Sequence, residues 1–378
     1  MKKRIPELSI VLPCRNEELA LPKCLNQIKQ IIKTHKINAE IIVSDSSTDK
    51  SPQIARKHKV RLVKHDLPGY GNAYLQGFKQ AKGKYIFMAD ADCSYDFSYI
   101  PVFLKYLKQG FDFVLGNRFS GKMNAGSMSW SHKYIGNPIL SWILRLFFHT
   151  TVRDSHCGMR AITRGALNKL NLQTTGMEFA SEMIVKALKN HLKIKEVPIT
   201  YNIRVGKSKL RGLSDAWRHT RFMLLYSPLF LFFIPGFIFF LIGIDSMLLL
   251  YFGFLKIGRL TLFFHPMFLS SLLIIIGYQL MFFAIFAKTY AITHLNEKDL
   301  LFEKLYKYIT IEKAGTTGII LGALGILIFL YIFIKWVGSG FGSLDEVKNS
   351  IVALTLIVIG LQTIFSSFML SILGIEEK

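Results

Sequence analysis

Apolar and polar positions follow two alternating patterns over the first 225 residues. Short apolar runs predict strands at Leu8–Leu12, Glu40–Ser44, Val60–Lys64, Tyr85–Ala89 and Phe111–Leu115. Stretches with helical periodicity lie between them: one of about 18 residues opens at Asn16, a second begins at Thr48, and a third covers Asn72–Ala81. This alternation predicts an α/β domain with a mainly parallel sheet and helices on both faces.

After residue 225 the pattern changes to long apolar stretches, at Tyr226–Leu250, Phe263–Ala287, Gly315–Trp336 and Ile351–Leu373. Each has about 20 residues or more, which is enough to cross about 30 Å of hydrocarbon. The basic start of the chain continues into a strand pattern, so we expect no signal peptide. We therefore predict a catalytic domain at 1–225 and an all-α transmembrane domain of four helices at 226–378.

The net charge of +22 is concentrated in residues 1–225, which hold 37 Lys or Arg and 16 Asp or Glu. Such a domain next to a bilayer is attracted to anionic headgroups and phosphorylated substrates. We recognise no nucleic-acid-binding module and expect no nucleic-acid partner. The four cysteines lack metal-site spacing, which favours free thiols in a reducing compartment.

Basic loop residues predict the orientation in the membrane. The loop at 288–313 carries five lysines, against three basic residues in the two loops on the opposite side, which places the catalytic domain in the cytoplasm. Two segments, Pro138–Thr150 and Ser214–Leu225, have the composition of interfacial helices that lie on the bilayer. A buried core helix is the alternative for the first.

Polar residues follow four of the predicted strands, at Pro13–Glu17, Asp45–Asp49, Asp90–Asp92 and Asn117-Arg118. Ligands of open α/β sheets bind beyond the carboxyl ends of the strands, so these sets predict one active site. The chain has neither GxGxxG nor GxxxxGK[ST], which disfavours a dinucleotide or P-loop site.

The pair Asp90 and Asp92 ends a buried strand and offers two carboxylates to a metal ion. Oxygen ligands suit Mg²⁺ or Mn²⁺, which proteins commonly hold with one or two carboxylates and substrate phosphates. A divalent ion there would stabilise a diphosphate leaving group. The same triplet often caps helices or faces solvent in other proteins, so the prediction depends on its position after the strand.

The chain contains, in order, SIVLPCRNEE, IIVSDSSTDKS, GYGNAYLQGFKQAKGKYIFMADADCSYDF and GNRF. These motifs resemble inverting family 2 glycosyltransferases, in particular the dolichyl- and polyprenyl-phosphate sugar synthases. The later segments DSHCGMRA, GMEFASEM, EVPITY and RVGKSKLRGLSDAWRHTRFML extend the resemblance to about residue 235. It implies a GT-A-like fold and transfer of a hexose, with inversion, from a UDP- or GDP-sugar to a polyprenyl phosphate such as dolichyl or undecaprenyl phosphate.

The resemblance also implies roles for single residues. It implies that the nucleotide sugar is held by Pro13, Arg15, Asn16, Glu17, Asp45 and Asp90, and the metal by Asp90 and Asp92. The chain departs from many relatives at Ser46, where they carry a second acid or Asn, which leaves the base open. Cys93 follows the metal pair, so a third protein ligand would come from Ser94 or a nearby loop.

The acceptor needs cations more than it needs a base, because a lipid phosphate is already an ionised nucleophile. The candidates are Arg118, His132, Lys133, Arg160, Arg204, Lys207 and Lys209. Because the arginine fork suits phosphate oxygens, Arg118 and Arg204 rank first, and we predict that both act in catalysis with Asp92. Glu178, Glu182 and His156 could line the sugar pocket or form structural ion pairs.

Two other functions remain open at this point. A processive polysaccharide synthase is disfavoured because QxxRW is missing and no spans precede the catalytic domain. A flippase or docking platform with a degenerate catalytic domain is disfavoured by the intact acidic and basic motifs. Four spans exceed what anchoring requires, and homo-oligomerisation or partner contacts would account for the surplus.

Overall fold

The computed structural model describes residues 5–206, 212–253, 255–257, 260–262, 264–295 and 311–374. Contacts divide the chain into two units, Met1–Tyr226 and Ser227–Lys378. The strands of the first unit are β1 Leu8–Cys14, β2 Ala39–Asp45, β3 Arg61–Lys64, β4 Tyr85–Met88, β5 Phe113–Asn117, β6 Arg160–Thr163 and β7 Ile194–Pro198. Its helices are α1 Leu21–Thr34, α2 Ser51–Lys57, α3 Tyr70–Gln80, α4 Ile100–Lys108, α5 Asn137–Phe148, α6 Arg164–Leu170, α7 Phe179–Lys189 and α8 Gly212–Leu225.

The sheet has the strand order β3-β2-β1-β4-β6-β5-β7. β6 is antiparallel to both β4 and β5, and the remaining pairs are parallel. Since β4 and β5 both oppose β6, they run in the same direction, and the ends of β1, β2, β4 and β5 reach one edge. The predicted mainly parallel sheet is confirmed. The sequence analysis did not predict β6 and β7, which are short and lack long apolar runs.

Both faces of the sheet are buried, because successive strand residues point to opposite sides. Ile10 and Leu12 belong to a core that includes side chains of α1 and α4, whereas Val11 packs with side chains of α3, α5 and α7. The continuous apolar runs of the central strands follow from this two-sided burial.

Helix α1 begins at Leu21, five residues after the predicted start at Asn16. Asn16 has φ 54°, a left-handed conformation that cannot continue a right-handed helix. Pro22 lies in the first turn of α1, where a missing N–H costs no hydrogen bond. The residues between the strand and the helix therefore remain in a loop at the edge of the sheet.

Among its described residues, the second unit has four helices long and apolar enough to cross a membrane: α9 Ile234–Phe252, α10 His265–Leu295, α11 Ile311–Gly338 and α12 Val347–Leu373. A short hairpin, Leu255–Ile257 with Leu260–Leu262, follows α9. α11 and α12 approach closely at two glycines: a Cβ on Gly318 would lie 2.7 Å from the carbonyl oxygen of Gly360. Small residues of this kind let membrane helices pack backbone to backbone.

His219 is buried where α8 packs on the first unit's core. Its side chain is 4% exposed, and its Nδ1 shares a 2.9 Å hydrogen bond with Ser181 Oγ of α7. Burial, and then the positive charge of Arg160, lowers the pKa of His219 to about 4. The unfolded chain therefore binds a proton that the folded chain excludes between about pH 6.5 and pH 4.

We predict that the first unit loses about 3 kcal/mol of stability at this residue as the pH falls from 6.5 to 4. The His219→Gln variant, which cannot be protonated, should show a smaller decrease in unfolding midpoint over the same range. Thermal unfolding followed by tryptophan fluorescence at several pH values measures the difference. Parallel curves for the two proteins would contradict the assignment.

Candidate active site

The loops after β1 and β2 are joined by short hydrogen bonds. Asn16 Oδ1 accepts from Thr48 N at 2.8 Å, and Asn16 N donates to Ser47 Oγ at 2.7 Å. Glu17 N donates to Ser51 Oγ at 3.0 Å. These bonds hold the two loops together at the edge of the sheet where a ligand is expected.

Three further residues assigned to the nucleotide lie on the same side. Pro13 is half-buried within β1, and Arg15 is exposed just after it. Asp45, the last residue of β2, is fully buried; its Oδ2 accepts from Lys64 Nζ at 2.9 Å, and its Oδ1 has no hydrogen-bond partner. A buried acceptor without a donor is costly, and a donor group of a nucleoside would satisfy it.

Asp90 and Asp92 follow β4 and differ in their surroundings. Asp92 Oδ1 accepts from Ser94 N at 3.0 Å and from Ser94 Oγ at 2.5 Å. Asp90 Oδ1 is buried without a partner. Burial, and then the negative charge of Asp92, raises the pKa of Asp90 above its ordinary value. The protein therefore holds two neighbouring carboxylates in a position where their charges repel.

This donor set fits a divalent cation. An unpartnered buried carboxylate oxygen beside a second carboxylate is the arrangement that a hard cation stabilises. In the described part of the chain no cluster of three or more His, Cys, Asp or Glu could hold a metal ion. Asp90 and Asp92 would hold such an ion together with substrate phosphate oxygens and water.

Arg204 lies beside the donor-side acids. Its Nη2 is 3.4 Å from Asp92 Oδ2 and 3.7 Å from Glu17 Oε1, and its Nε is buried without a partner. The next residue also contacts Asp92: Val205 N donates to the backbone oxygen of Asp92 at 2.8 Å. The structure therefore brings Arg204 together with the residues that follow β1 and β4.

Arg118 lies at the end of β5 and is 6% exposed. Its Nε and Nη2 donate to the two carboxylate oxygens of Asp154 at 2.8 and 2.7 Å, and its backbone N donates to the same side chain at 2.9 Å. The ring of Tyr201 lies 5.2 Å from its guanidinium carbon. Much of the fork is thus engaged within the protein, so Arg118 has less capacity to bind a phosphate than its motif indicated.

Glu196 of β7 supports the ion pair between Arg118 and Asp154. Its Oε1 accepts from Asp154 N at 3.0 Å, from Arg153 N at 2.9 Å and from Asn117 Nδ2 at 3.2 Å. Burial raises the pKa of Glu196. One carboxylate therefore holds the end of β5 and the loop that carries Asp154 in a fixed relation.

Several other candidates have structural partners. Arg160 is 1% exposed, and its guanidinium donates to the carbonyl oxygens of Cys157, Ala180 and Ser155, each at 2.8 Å. Glu182 is also buried; it pairs with Lys186 at 2.7 Å and accepts from two backbone N–H groups. Both residues hold loops to helix α7.

The remaining candidates are less closely tied to the site. His132 and Lys133 lie in a π-helical turn before α5, where His132 Nδ1 bonds to Ser129 Oγ at 2.6 Å and Lys133 Nζ lies 5.1 Å from the ring of Tyr134. In the described residues neither forms an ion pair with the carboxylates of the site. Lys207 and Lys209 lie outside the described residues.

Glu178 and His156 each have one buried side-chain atom without a hydrogen-bond partner. Glu178 Oε1 accepts from Gly176 N at 3.3 Å, and its Oε2 is buried without a partner. His156 Nδ1 bonds to Ser155 Oγ at 2.8 Å, and its Nε2 is likewise buried without a partner. The choice between pocket lining and structural pairing stays open for both.

Three features of the site were not predicted from the sequence: Asp154 and Glu196, which hold Arg118 in place, and the close approach at Gly158. A Cβ on Gly158 would lie 2.9 Å from Asp90 Oδ2 and 3.1 Å from the hydroxyl of Tyr95. The DSHCGMRA segment contained part of the signal, since it offers an acid that can pair with a buried arginine and a glycine that allows a close approach. The pairing itself depends on β6 folding next to β4.

Two family models match the chain. The Glycosyl transferase family 2 model matches residues 9–170, and the model of the family 2 C-terminal transmembrane region matches residues 285–374. The low-salt glycan biosynthesis hexosyltransferase Agl6 of Haloferax volcanii is 38% identical over 98% of this chain and 89% of its own length. The chain belongs to glycosyltransferase family 2.

Other relatives match a little over half of this family 2 glycosyltransferase. A dolichyl-phosphate hexose transferase of Haloferax volcanii is 30% identical over 54% of this chain and 86% of its own length. Among solved structures, glucosyl-3-phosphoglycerate synthase from Mycobacterium tuberculosis aligns with a TM-score of 0.48 and 19% identity over 59% of this chain and 80% of that chain. The family 2 transmembrane model also shows that this chain is a membrane protein.

We predict that Asp154→Asn destabilises the enzyme by about 3 to 5 kcal/mol, because it leaves the buried charge of Arg118 unpaired. The double variant Asp154→Leu, Arg118→Met should recover most of that stability, since it removes both charges. Thermal unfolding of the three proteins tests this. A double variant as unstable as the single one would show that the ion pair is not the origin of the loss.

Proposed function

We propose that this glycosyltransferase transfers a hexose from a UDP- or GDP-sugar to a polyprenyl phosphate, with a divalent cation and with inversion. The products are a lipid-phosphate sugar and a nucleoside diphosphate. The names of the two Haloferax volcanii relatives, a hexosyltransferase and a dolichyl-phosphate hexose transferase, support the sugar and the acceptor class.

The observation that carries the proposal is the pair Asp90 and Asp92, with an unpartnered buried oxygen, at the sheet edge where three other polar strand ends meet. The two carboxylates would hold a divalent cation, which would supply positive charge to stabilise the diphosphate leaving group. Asp45 and the loop at Asn16 would bind the nucleoside. Because the proposed acceptor phosphate is already ionised, the chemistry needs no strong base in the protein.

The acceptor side of the proposal depends on cations that position two anions close together. Arg204 lies next to Asp92 and can exchange that contact for a phosphate oxygen. Arg118 keeps its place through Asp154 and adds positive charge with a fixed orientation. His132, Lys133, Lys207 and Lys209 remain candidates for the acceptor phosphate. Catalysis by Asp92, Arg118 and Arg204 is therefore mainly electrostatic.

We further propose that the catalytic domain faces the cytoplasm and contacts the bilayer through α5 and α8. The side of α5 that carries Leu140 and Leu144 is buried, whereas Trp142 is 54% exposed and Ile139 is 49% exposed. Trp217 of α8 is 60% exposed. Exposed aromatic side chains on amphipathic helices are typical of a membrane–water interface.

We expect Asp90→Asn and Asp92→Asn each to lower sugar transfer by about 100-fold or more, because each removes charge from the cation site. The assay combines labelled nucleotide sugars, a short polyprenyl phosphate and Mn²⁺, and electron paramagnetic resonance measures Mn²⁺ binding separately. Asp96→Asn is the matched control, since Asp96 caps a nearby turn through Ser98 N at 2.9 Å.

The product decides between this function and the alternative. One sugar on each lipid supports the proposal, whereas long glycan products would indicate a processive synthase. No lipid-linked sugar with any common donor would overturn the proposal. Unchanged transfer and Mn²⁺ binding in both aspartate variants would exclude the cation site.

Substitution of Trp142 should separate membrane contact from chemistry. We predict that Trp142→Ser lowers kcat/KM roughly ten-fold or more for a long-chain acceptor in vesicles, since burying an aromatic side chain is worth about 1.5 to 3 kcal/mol. Transfer to a short, water-soluble acceptor should not change. Val102→Ser, an exposed apolar position on α4, is the control. Equal losses with both acceptors would contradict an interfacial role.

A further inference from the structure

Two cysteines that are 69 residues apart in the chain meet beside the proposed cation site. Cys24 belongs to α1, and Cys93 directly follows Asp92. Their Sγ atoms lie 3.5 Å apart, so the two sulfurs touch. Of the four cysteines of the chain, Cys93 alone is partly exposed, since Cys14, Cys24 and Cys157 are buried. The pair therefore has one thiol that a solute can reach and one that is enclosed by the protein.

Helix α1 holds the loop that follows the aspartate pair at two positions. One turn beyond Cys24, Gln27 Nε2 donates to Asp96 Oδ1 at 2.7 Å. Cys93 Sγ also donates to the backbone oxygen of Ala20, the residue before the helix, at 3.5 Å. Since residues three and four apart share one face of a helix, Cys24 and Gln27 present the same face to the loop. Neighbouring hydrogen bonds therefore hold the two thiols in contact.

The backbone at Cys93 has an unusual conformation. Its φ is 65°, in the left-handed region that glycine, asparagine and aspartate adopt most easily. Backbone geometry therefore does not explain why a cysteine occupies this position. The sulfur is what those residues would not supply, and it contacts a second sulfur.

A disulfide between the two cysteines needs a small movement, and that movement falls on the loop. The S–S bond is about 2.05 Å long, so the sulfurs must come about 1.5 Å closer than their present 3.5 Å. Cys24 is 1% exposed, and its N–H donates to Ala20 O at 3.1 Å in the first turn of α1, so it has little freedom to move. Cys93 must shift instead, together with Asp92, which contacts Arg204.

We propose that Cys24 and Cys93 are a reversible oxidation site, at which a hydroperoxide converts the two thiols into a disulfide that lowers sugar transfer. The Cys93 sulfur attacks one peroxide oxygen and the O–O bond breaks, which gives a sulfenic acid and, from hydrogen peroxide, one water. The Cys24 sulfur then attacks the Cys93 sulfur, and the hydroxyl leaves with the Cys24 proton as a second water. The sulfurs lose two electrons in total, and a dithiol reductant returns them.

Formation of the bond follows from the contact between the thiols and the exposure of Cys93. In a reducing compartment such a bond is transient, which is typical of redox-sensing cysteines. Its effect on transfer rests on the proposed function, in which Asp92 holds the cation with Asp90. A displacement of about 1 Å at a catalytic group can cost about 100-fold in rate, so we expect the disulfide to lower transfer about ten-fold or more.

The test treats the full-length enzyme in lipid vesicles with hydrogen peroxide and maps disulfides by mass spectrometry after digestion without reductant. We expect a linked peptide pair that contains Cys24 and Cys93, and dithiothreitol should remove the link and restore transfer. Cys24→Ala should form no link and should retain most of its transfer activity at the peroxide concentration that inactivates the parent. Cys157→Ala, which removes another buried thiol, is the matched control and should form the link as the parent does.

The two readouts separate this proposal from the proposed function. The linked peptide is detected by its mass and needs no sugar transfer, so its absence would overturn the proposal even in a fully active enzyme. A link that leaves transfer unchanged would also overturn it, as would equal inactivation of the parent and Cys24→Ala. A reduced enzyme that transfers no sugar would count against the proposed function, and the linked peptide would still decide whether the oxidation site exists.

Discussion

Two carboxylates held side by side at the end of a buried strand repel each other, and the residues around them offset only part of that repulsion. Asp92 is stabilised by Ser94 and by the guanidinium of Arg204, whereas Asp90 keeps a buried oxygen without a partner. The fold thus maintains a locally unfavourable charge arrangement that a bound cation would relieve. The electrostatic repulsion that remains in the folded protein can be relieved when a ligand binds. Perturbed carboxylates of this kind are common at functional sites.

The positions of the strand ends could be predicted because they depend on local patterns. Buried strands are continuous apolar runs, and parallel direction follows from the helices between them, so the convergence of Asp45, Asp90 and Arg118 at one edge was accessible from the sequence. The start of α1 was not, because a left-handed residue at Asn16 is set by hydrogen bonds to a loop 32 residues away. Local periodicity carries no information about such a contact.

The partners of the basic residues were the least predictable part of the site. Arg118 was identified by its motif, but its ion pair with Asp154 spans 36 residues and forms because β6 returns beside β4 and β5. Arg160 belongs to the same segment and contacts backbone carbonyls. A guanidinium that binds phosphate and one that supports a loop look alike in a sequence. They differ in the groups that surround them in the folded protein, such as the carboxylate beside Arg118 and the carbonyl oxygens around Arg160.

The antiparallel strand β6 also determines the path of the chain between β5 and β6. β5 ends at Asn117, and β6 begins at Arg160 at the same edge of the sheet, because the two strands are antiparallel. Residues 118–159, which include α5 and Asp154, therefore leave from the active-site edge and return to it. Such an excursion can lengthen, shorten or change its composition while the strand order stays intact. The topology gives this enzyme a segment that leaves and rejoins the same edge of the sheet, where evolution or grafting could change the sequence without rebuilding the sheet.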